Sequence, residues 1–599
     1  MKKLIFLLSI LFLAVSVEKV AAGPAYFENP GQGMFQCHAD NNINSDYTKG
    51  GGLIVRWDQL QPKNNDELDQ TALNSLTNSL KSKKKRYLHF MIYGMTEERI
   101  YPSWLNLYDS DSTNDQIGVT RDSKGIFPQP WDSRYQEKLG RFLTLLGTAL
   151  KNAGVTQNIE YLEPAAGGYW ASTHLWIPEN DLKTWAVAAG CQPTDWSCLG
   201  VKYTAGVNGV LEKYLSAFPD NAVMVIGGSC RYSTCSYAGF NSMVAKYGMR
   251  VMIKSAGLGQ RDSSCGVKNY FQPLCGGDSP ITKCGDEPWG SSVACHGAER
   301  GFDPALGCGY YQTLLHALST EKISYYCLYN REIGCQAIED GRKIDDVNRE
   351  IAGKLGAQIT LLSANLNGNE KNVGSDLTID FRFGNNGSTT LIAPLKQGIK
   401  WVPSSYKLFL EFVKNGQVAL YQEFAINPPT TSWVPANFNK EVSFSVSLNV
   451  SEYLGGANQN SRIEYKLYTG LTDPSGEKNR FAFKNSGQNN DLANRRYLIS
   501  DSFTVLGQGV PTSTPGAPTN TPRPTDGSPT QTSVPPSTCP ADKPSRSLGN
   551  ANCDSSVDND DFTIWKSEFL KKTDTVKADF NGNNIVNGVD FMIWWKNRQ

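Results

Sequence analysis

From residue 24 to about residue 356, short apolar runs alternate with longer stretches that read as helix and loop, and this alternation limits the fold more than any other feature. Eight runs have strand character: GMFQCHA, LIVRW, RYLHFMIYG, IEYLEPA, AVMVIGG, RVMIKSAG, SVACHGAE and ISYYCLY. Helix-like segments such as RYQEKLGRFLTLLGTALKNAG and YTAGVNGVLEKYLSAF lie between several of them. Strands separated by helices pair in parallel, because a parallel neighbour needs a crossover long enough to hold a helix. Eight such units in about 330 residues predict a closed (β/α)8 TIM barrel with enlarged loops over residues 23–356, with a doubly wound open sheet as the alternative. No GxGxxG or GxxxxGKS/T motif stands where a nucleotide-binding sheet would need one.

A chain of 599 residues exceeds what one core can organise, and the pattern changes after residue 356. In residues 357–507 the period becomes two: Leu377, Ile379, Phe381 and Phe383 alternate with Thr378, Asp380 and Arg382, and Val442, Phe444, Val446 and Leu448 with Ser443, Ser445 and Ser447. Half-buried strands between Gly/Asn/Pro turns predict an all-β sandwich. Residues 508–545 are rich in Pro, Thr and Ser and almost devoid of apolar side chains, so they form an extended linker rather than a core.

Residues 1–22 carry two Lys, a continuous apolar run and a small-residue site at Val20-Ala21-Ala22, the pattern of a signal peptide, so the mature chain is expected to start near Gly23 and to be secreted or held at the cell surface. No later stretch is apolar enough to span a membrane. In an exported protein the 14 Cys are disulfide candidates; the spacings Cys191/Cys198 and Cys230/Cys235 suit stapled loops, and Cys539 and Cys553 could clamp the base of the tail. Lys+Arg and Asp+Glu are equal at 58 each, which excludes a general attraction to nucleic acid or to an anionic membrane.

The tail, residues 546–599, writes one pattern twice. Asp579, Asn581, Asn583, Asn587 and Asp590 stand at positions 1, 3, 5, 9 and 12 of one loop and precede Phe591, Ile593 and Trp594; Asn550, Asn552, Asp554, Asp558 and Asp561 repeat the spacing before Phe562, Ile564 and Trp565. Oxygen atoms at that spacing can surround one hard cation, so each loop is a candidate Ca2+ site opening a helix. The tail resembles a dockerin, the duplicated calcium module by which secreted enzymes attach to cohesin-bearing scaffolds. The resemblance implies a small α-helical calcium domain and a cohesin-like partner. Ser555 and Asn584 stand where that family usually has Gly, and Asn550 where it has the first Asp.

In a barrel the chemistry lies at the carboxyl ends of the strands. Two carboxylates stand there: Glu163 ends the fourth expected strand and Glu299 the seventh, with Glu160 the alternative on strand four because strand parity is open. The arrangement resembles the large clan of retaining glycoside hydrolases with (β/α)8 barrels, and RWDQLQPKNNDELD at residues 56–69 resembles the opening of its β-galactosidase-like and agarase-like members. The resemblance implies hydrolysis of O-glycosidic bonds in a polysaccharide or oligosaccharide. Glu163 would be the acid/base, Glu299 the nucleophile, and Arg56 the cation that keeps Glu299 ionised. One Glu of such a pair must be protonated and the other ionised, so their surroundings must differ; retention needs them roughly 5–5.5 Å apart. The clan places Asn directly before its acid/base, and here that position is Leu162.

Rings and hydrogen-bonding groups expected at the same rim are Trp57, His89, Tyr93, Trp104, Trp131, Tyr169, Trp170, Trp176 and Trp289, since indole faces stack on sugar C–H faces while their N–H groups reach hydroxyls. His89, His174 and His296 form no zinc spacing, and no Ser nucleophile elbow is present, so the catalytic domain needs no cofactor on this reading. The competing reading is a non-catalytic, surface-assembled glycan-binding protein on a degenerate hydrolase barrel.

Overall fold

The computed structural model describes residues 25–36, 46–81, 84–91, 101–105, 117–122, 125–165, 181–226, 237–258, 284–288, 315, 318–319, 322–328, 344–450, 461–477, 479–507, 546–554, 556–569, 577–580, 586 and 588–598. Two compact units divide the chain after Thr512. The signal-like segment 1–22 and the linker 508–545 lie outside the described residues. Among the described residues no helix is long and apolar enough to cross a membrane.

In the first unit eight strands close a barrel: β1 (Gly33–Gln36), β2 (Thr48–Arg56), β3 (Lys85–Met91), β4 (Ile159–Glu163), β5 (Ala222–Ile226), β6 (Val251–Leu258), β7 (Cys284–Pro288) and β8 (Ile323–Leu328). Each pairs in parallel with the next, and β8 returns to β1 with Gly33 opposite Tyr325. Closure removes the open-sheet alternative. Seven of the eight expected strands lie where their apolar runs placed them. The seventh does not: it is Cys284–Pro288, CGDEP, and the segment 292–299 lies outside the described residues. Two acids, a Gly and a Pro give CGDEP no apolar alternation. It is a strand because β6 and β8 would otherwise each keep an unpaired edge inside the barrel.

Helices lie outside the barrel, and Asp residues start three of them. Asp69 caps α1 (Gln70–Leu80), Asp132 caps α2 (Ser133–Asn152) and Asp195 caps α3 (Trp196–Ala217), each accepting a backbone N–H of the first turn. A cap of this kind is worth about 1 kcal/mol. In α2 the buried stripe Tyr135, Leu139, Phe142, Leu143, Leu146 and Leu150 recurs at helical spacing and meets Leu53, Val55, Leu88, Phe90, Leu162 and Val223 from the strands. The alternate strand positions, Phe35, Tyr87, Tyr161, Met224, Met252, Tyr325 and Cys327, fill the barrel interior. A bridge joins Cys191 to Cys198 and staples the turn before α3.

Residues 357–507 form a three-stranded and a seven-stranded sheet packed together, with a separate two-stranded hairpin, Ala393–Gln397 and Lys400–Ser404. In the three-stranded sheet, Asp376–Asn385 lies between Ile359–Leu366 and Glu441–Asn449, with Ile379 opposite Val446 and Phe381 opposite Phe444, so the period-two residues face one core. This sandwich closes the amino end of the barrel. Gln32 grips Ala357 through two bonds of 2.8 Å, Asn29 does the same with Ala482 at 3.0 and 2.7 Å, and Met249 N donates to Trp401 O at 2.8 Å. The Trp401 ring packs against the interior cluster, with the Arg250 guanidinium 5.7 Å from its centroid.

In the second unit two helices, Asn559–Phe569 and Gly588–Asn597, carry the small core. Phe562 stacks on Trp594 at 4.9 Å and Phe591 meets Trp565 at 5.0 Å, so each repeat supplies the ring that packs on the other's Trp.

Trp401→Ala is expected to destabilise the first unit by about 2–3 kcal/mol, because it opens the barrel floor to water. Urea unfolding monitored by far-UV circular dichroism reads this directly; an unchanged midpoint would mean that the sandwich is not the floor of the barrel core.

Candidate active site

Strand parity decides between the two carboxylates of β4. Tyr161 is interior, and so Glu163 two residues on is interior as well, at the carboxyl end of the strand. Leu162 faces the opposite way, fully buried in the layer between strands and helices, so the position before Glu163 cannot reach a ligand in the barrel. Glu160 sits at the amino end. Its Oε1 accepts from Lys49 Nζ at 2.6 Å, Tyr325 Oη at 3.1 Å and Gly31 N at 3.1 Å, and it belongs to the floor.

Glu163 is 2% exposed and engaged at both oxygens. Lys254 Nζ on β6 donates to Oε1 at 2.5 Å, and His89 Nδ1 on β3 lies 2.7 Å from Oε2. An ionised carboxylate only accepts, so His89 carries its proton on Nδ1. The Lys254 ammonium is as buried as its partner, and Tyr87 lies beneath it with the ring centroid 5.9 Å from Nζ. Gly52 makes room for that ring, since a Cβ there would lie 2.4 Å from the Tyr87 Cζ. After the strand, Ala165 N donates to Tyr214 Oη at 3.2 Å and fixes the turn.

Burial alone would raise the Glu163 pKa, but the Lys254 charge and the His89 hydrogen bond outweigh it and hold the carboxyl well below the usual carboxylate range. This is the setting of a carboxylate kept ionised. A general acid needs the reverse, an apolar or anionic neighbourhood, so the geometry does not favour the acid role expected for Glu163.

The other expected site residues divide into four groups. His89 joins Glu163. Arg56 ends β2 and forks onto Asp58 at 3.1 and 2.7 Å, an ion pair formed within one turn of chain. Trp57 is a correction: at 1% exposure it stacks on Phe142 at 5.2 Å and donates to Gln61 Oε1, which places it in the outer layer and not at the rim. The chain leaves β2 directly into a one-turn helix, Trp57–Leu60, and that turn swings the indole behind the sheet. Trp104 and Trp131 pack against the same outer layer, Trp131 edge-on to Trp185 at 6.2 Å. Tyr93, Tyr169, Trp170, His174, Trp176, Trp289, His296 and Glu299 lie outside the described residues.

The described β7 ends at Pro288, and the segment that carries Glu299 lies outside the described residues. The carboxylate-bearing position near the mouth end of β7 is Glu287. Gly285 is the register partner of Lys254 and of Tyr325, and Glu287, two residues on, is the register partner of Ala256. Lys254 and Glu287 were missed in the sequence. RVMIKSAG does place a Lys within an apolar strand, and a charge there requires a buried partner.

In the tail, the last residue of each loop closes it in the same way. Asp561 Oδ1 accepts from Ala551 N at 2.7 Å and Asp590 Oδ1 from Phe580 N at 2.8 Å; Asp561 also takes Asn552 N and Asp558 N. Asn550, Asn552, Asp554 and Asp558 line the first loop; Asp579 and Asp590 are described in the second, while Asn581, Asn583 and Asn587 are not. Among the described residues no three His, Cys, Asp or Glu side chains converge as a metal cage. Burial, with the charge of Asp554 adding to it, pushes the Asp561 carboxyl above its ordinary pKa.

No protein-family model and no curated protein matches the chain. Among solved structures, an exo-β-1,4-mannosidase from the Opitutaceae bacterium strain TAV5 is 11% identical with a TM-score of 0.30, covering 55% of this chain and 61% of its own length. A psychrophilic glycoside hydrolase family 10 endo-β-1,4-xylanase is 8% identical with a TM-score of 0.32, covering 54% and 98%. A CARDB domain from Pyrococcus furiosus is 12% identical with a TM-score of 0.14, covering 25% and 88%. The chain thus spans about three-fifths of the mannosidase's length.

The buried pair makes two expectations. Glu163→Gln leaves a buried ammonium without its counter-charge and should cost about 3–5 kcal/mol, whereas Glu163→Gln with Lys254→Met should recover most of that loss. Because the folded pKa of Glu163 is depressed, its contribution is complete above the ordinary Glu pKa of about 4.3 and is lost as pH falls below that value toward the folded one. Urea midpoints of wild type and Glu163→Gln between neutral pH and about pH 3 should therefore converge on the acid side; parallel curves would remove the ion pair from the stability of the barrel.

Proposed function

We propose that the chain is an exported hydrolase of O-glycosidic bonds, acting at the carboxyl-end mouth of its barrel on a polysaccharide or oligosaccharide. The supporting observation is Glu163: an interior carboxylate at the end of β4, kept ionised by Lys254 and His89. Such a group can attack an anomeric carbon or take a proton from water. The duty of proton donor then falls to a second carboxyl at the same mouth, and β7 supplies the position of Glu287 for it. The duties are thus exchanged relative to the resemblance, which makes the fourth-strand residue the acid.

A second reading, glycan binding without cleavage, is favoured by one observation: both Glu163 oxygens are already engaged and the residue is 2% exposed. Activity separates the two. Glu163→Asp keeps the charge that Lys254 requires but withdraws the oxygens, and Glu287→Gln removes a proton donor; each should lower kcat on a cleaved glycan by roughly 10²–10⁴-fold with the circular dichroism spectrum unchanged. Binding with no cleavage of any glycan in a broad panel would establish the second reading.

For the tail we propose calcium-dependent attachment to a cohesin-like scaffold. Asn550, Asn552, Asp554, Asp558 and Asp561 in one loop, and Asp579, Asn581, Asn583, Asn587 and Asp590 in the other, supply the oxygen atoms. The raised pKa of Asp561 fits crowded acids that a divalent cation would relieve. Calcium is expected to raise the thermal midpoint of the full chain's tail transition and a chelator to lower it, with Asp561→Ala/Asp590→Ala, which disables both loops, insensitive to both. A midpoint indifferent to calcium in the unaltered chain would end this assignment.

A further inference from the structure

We infer that Lys254 is the positioning residue of Glu163: its buried ammonium, 2.5 Å from Oε1 and carried by a non-adjacent strand, holds the carboxylate at the mouth in the form that hydrolysis uses. This inference rests on the glycosidase reading above for its effect on turnover, but not for its electrostatics. Lys254 and Glu163 come from non-adjacent strands, and each side chain is 2% exposed, so water screens neither charge.

Among the described residues the groups around Glu163 come from every strand that borders it. From β3 come His89 and, one layer below, Tyr87; β5 presents Met224, which does not titrate; β6 brings Lys254; β7 carries the titratable Glu287 at the register position opposite Ala256; and Arg56, paired with Asp58, ends β2. The phenol of Tyr87 is directed to Cys327 Sγ at 3.4 Å and not to the carboxylate. Lys254 is therefore the one permanently cationic group among the described residues in contact with Glu163. His89 adds a hydrogen bond but cannot replace that charge when neutral. With Lys254 removed, burial, the largest influence on Glu163 and one that favours the protonated acid, is opposed by His89 alone.

The test has two arms. In the first, infrared difference spectra against Glu163→Gln/Lys254→Met follow the carboxylic C=O stretch of Glu163 in the full chain. Wild type and Lys254→Arg should show no such band at pH 4, while Lys254→Met shows it at pH 6. Should Lys254→Met not fold, Lys254→Gln carries the same reading. A Glu163 band that appears at the same pH with and without the cation overturns the inference, whatever the chain cleaves. In the second arm, kcat/KM for a cleaved glycan is followed from pH 7 to pH 4: wild type and Lys254→Arg should hold within about threefold, while Lys254→Met falls at least tenfold. An acid limb unmoved by Lys254→Met also overturns it. Failure to find any cleaved glycan defeats the hydrolase reading alone, and the infrared arm still decides the role of Lys254.

Discussion

Two opposite charges buried side by side inside a closed barrel set the terms for everything at its mouth. Neither Lys254 nor Glu163 could stand alone at 2% exposure, since an unpaired ion in the interior costs several kcal/mol even after relaxation. Together they neutralise each other, and His89 takes the carboxylate oxygen that the ammonium does not. The pair also fixes geometry. Strands β3, β4 and β6 are held at the separation that these bonds demand, and the carboxylate cannot rotate without losing one of its two partners.

The same device is repeated at the other end of the barrel. Lys49 and Glu160 form a second buried pair, with Lys49 also donating to the carbonyls of Asn29 and Gln32. Between the two charged layers lies a layer of rings, in which Tyr87 stacks on Tyr161 at 4.9 Å and Phe35 meets both edge-on. Aromatic packing there separates the two ion pairs and keeps water from joining them. The sandwich completes the seal, because Trp401 covers the floor that helices cannot reach. It serves the barrel as a structural lid, which explains why its bonds to Asn29, Gln32 and Met249 run through backbone groups as well as side chains.

The tail follows different physics. Its core is small, and its order depends on loops closed by Asp561 and Asp590 and on rings exchanged between repeats. The duplication visible in the sequence becomes a reciprocal packing in which Phe562 and Trp594 match Phe591 and Trp565.

The chain's own pattern determined the elements that depend on neighbours in sequence: seven barrel strands, the capped helices and the alternating sandwich strands, each governed by a local period or a local hydrogen bond. It did not determine β7, which has no apolar signal and exists because two strands needed a neighbour, nor the position of Trp57, which one turn of helix carried behind the sheet. Tertiary structure alone decided which carboxylate of β4 faces the interior and what holds it. Parity along a strand becomes visible only once one face is covered, and the partners of Glu163 are 74 and 91 residues away in sequence, brought together by closure of the barrel.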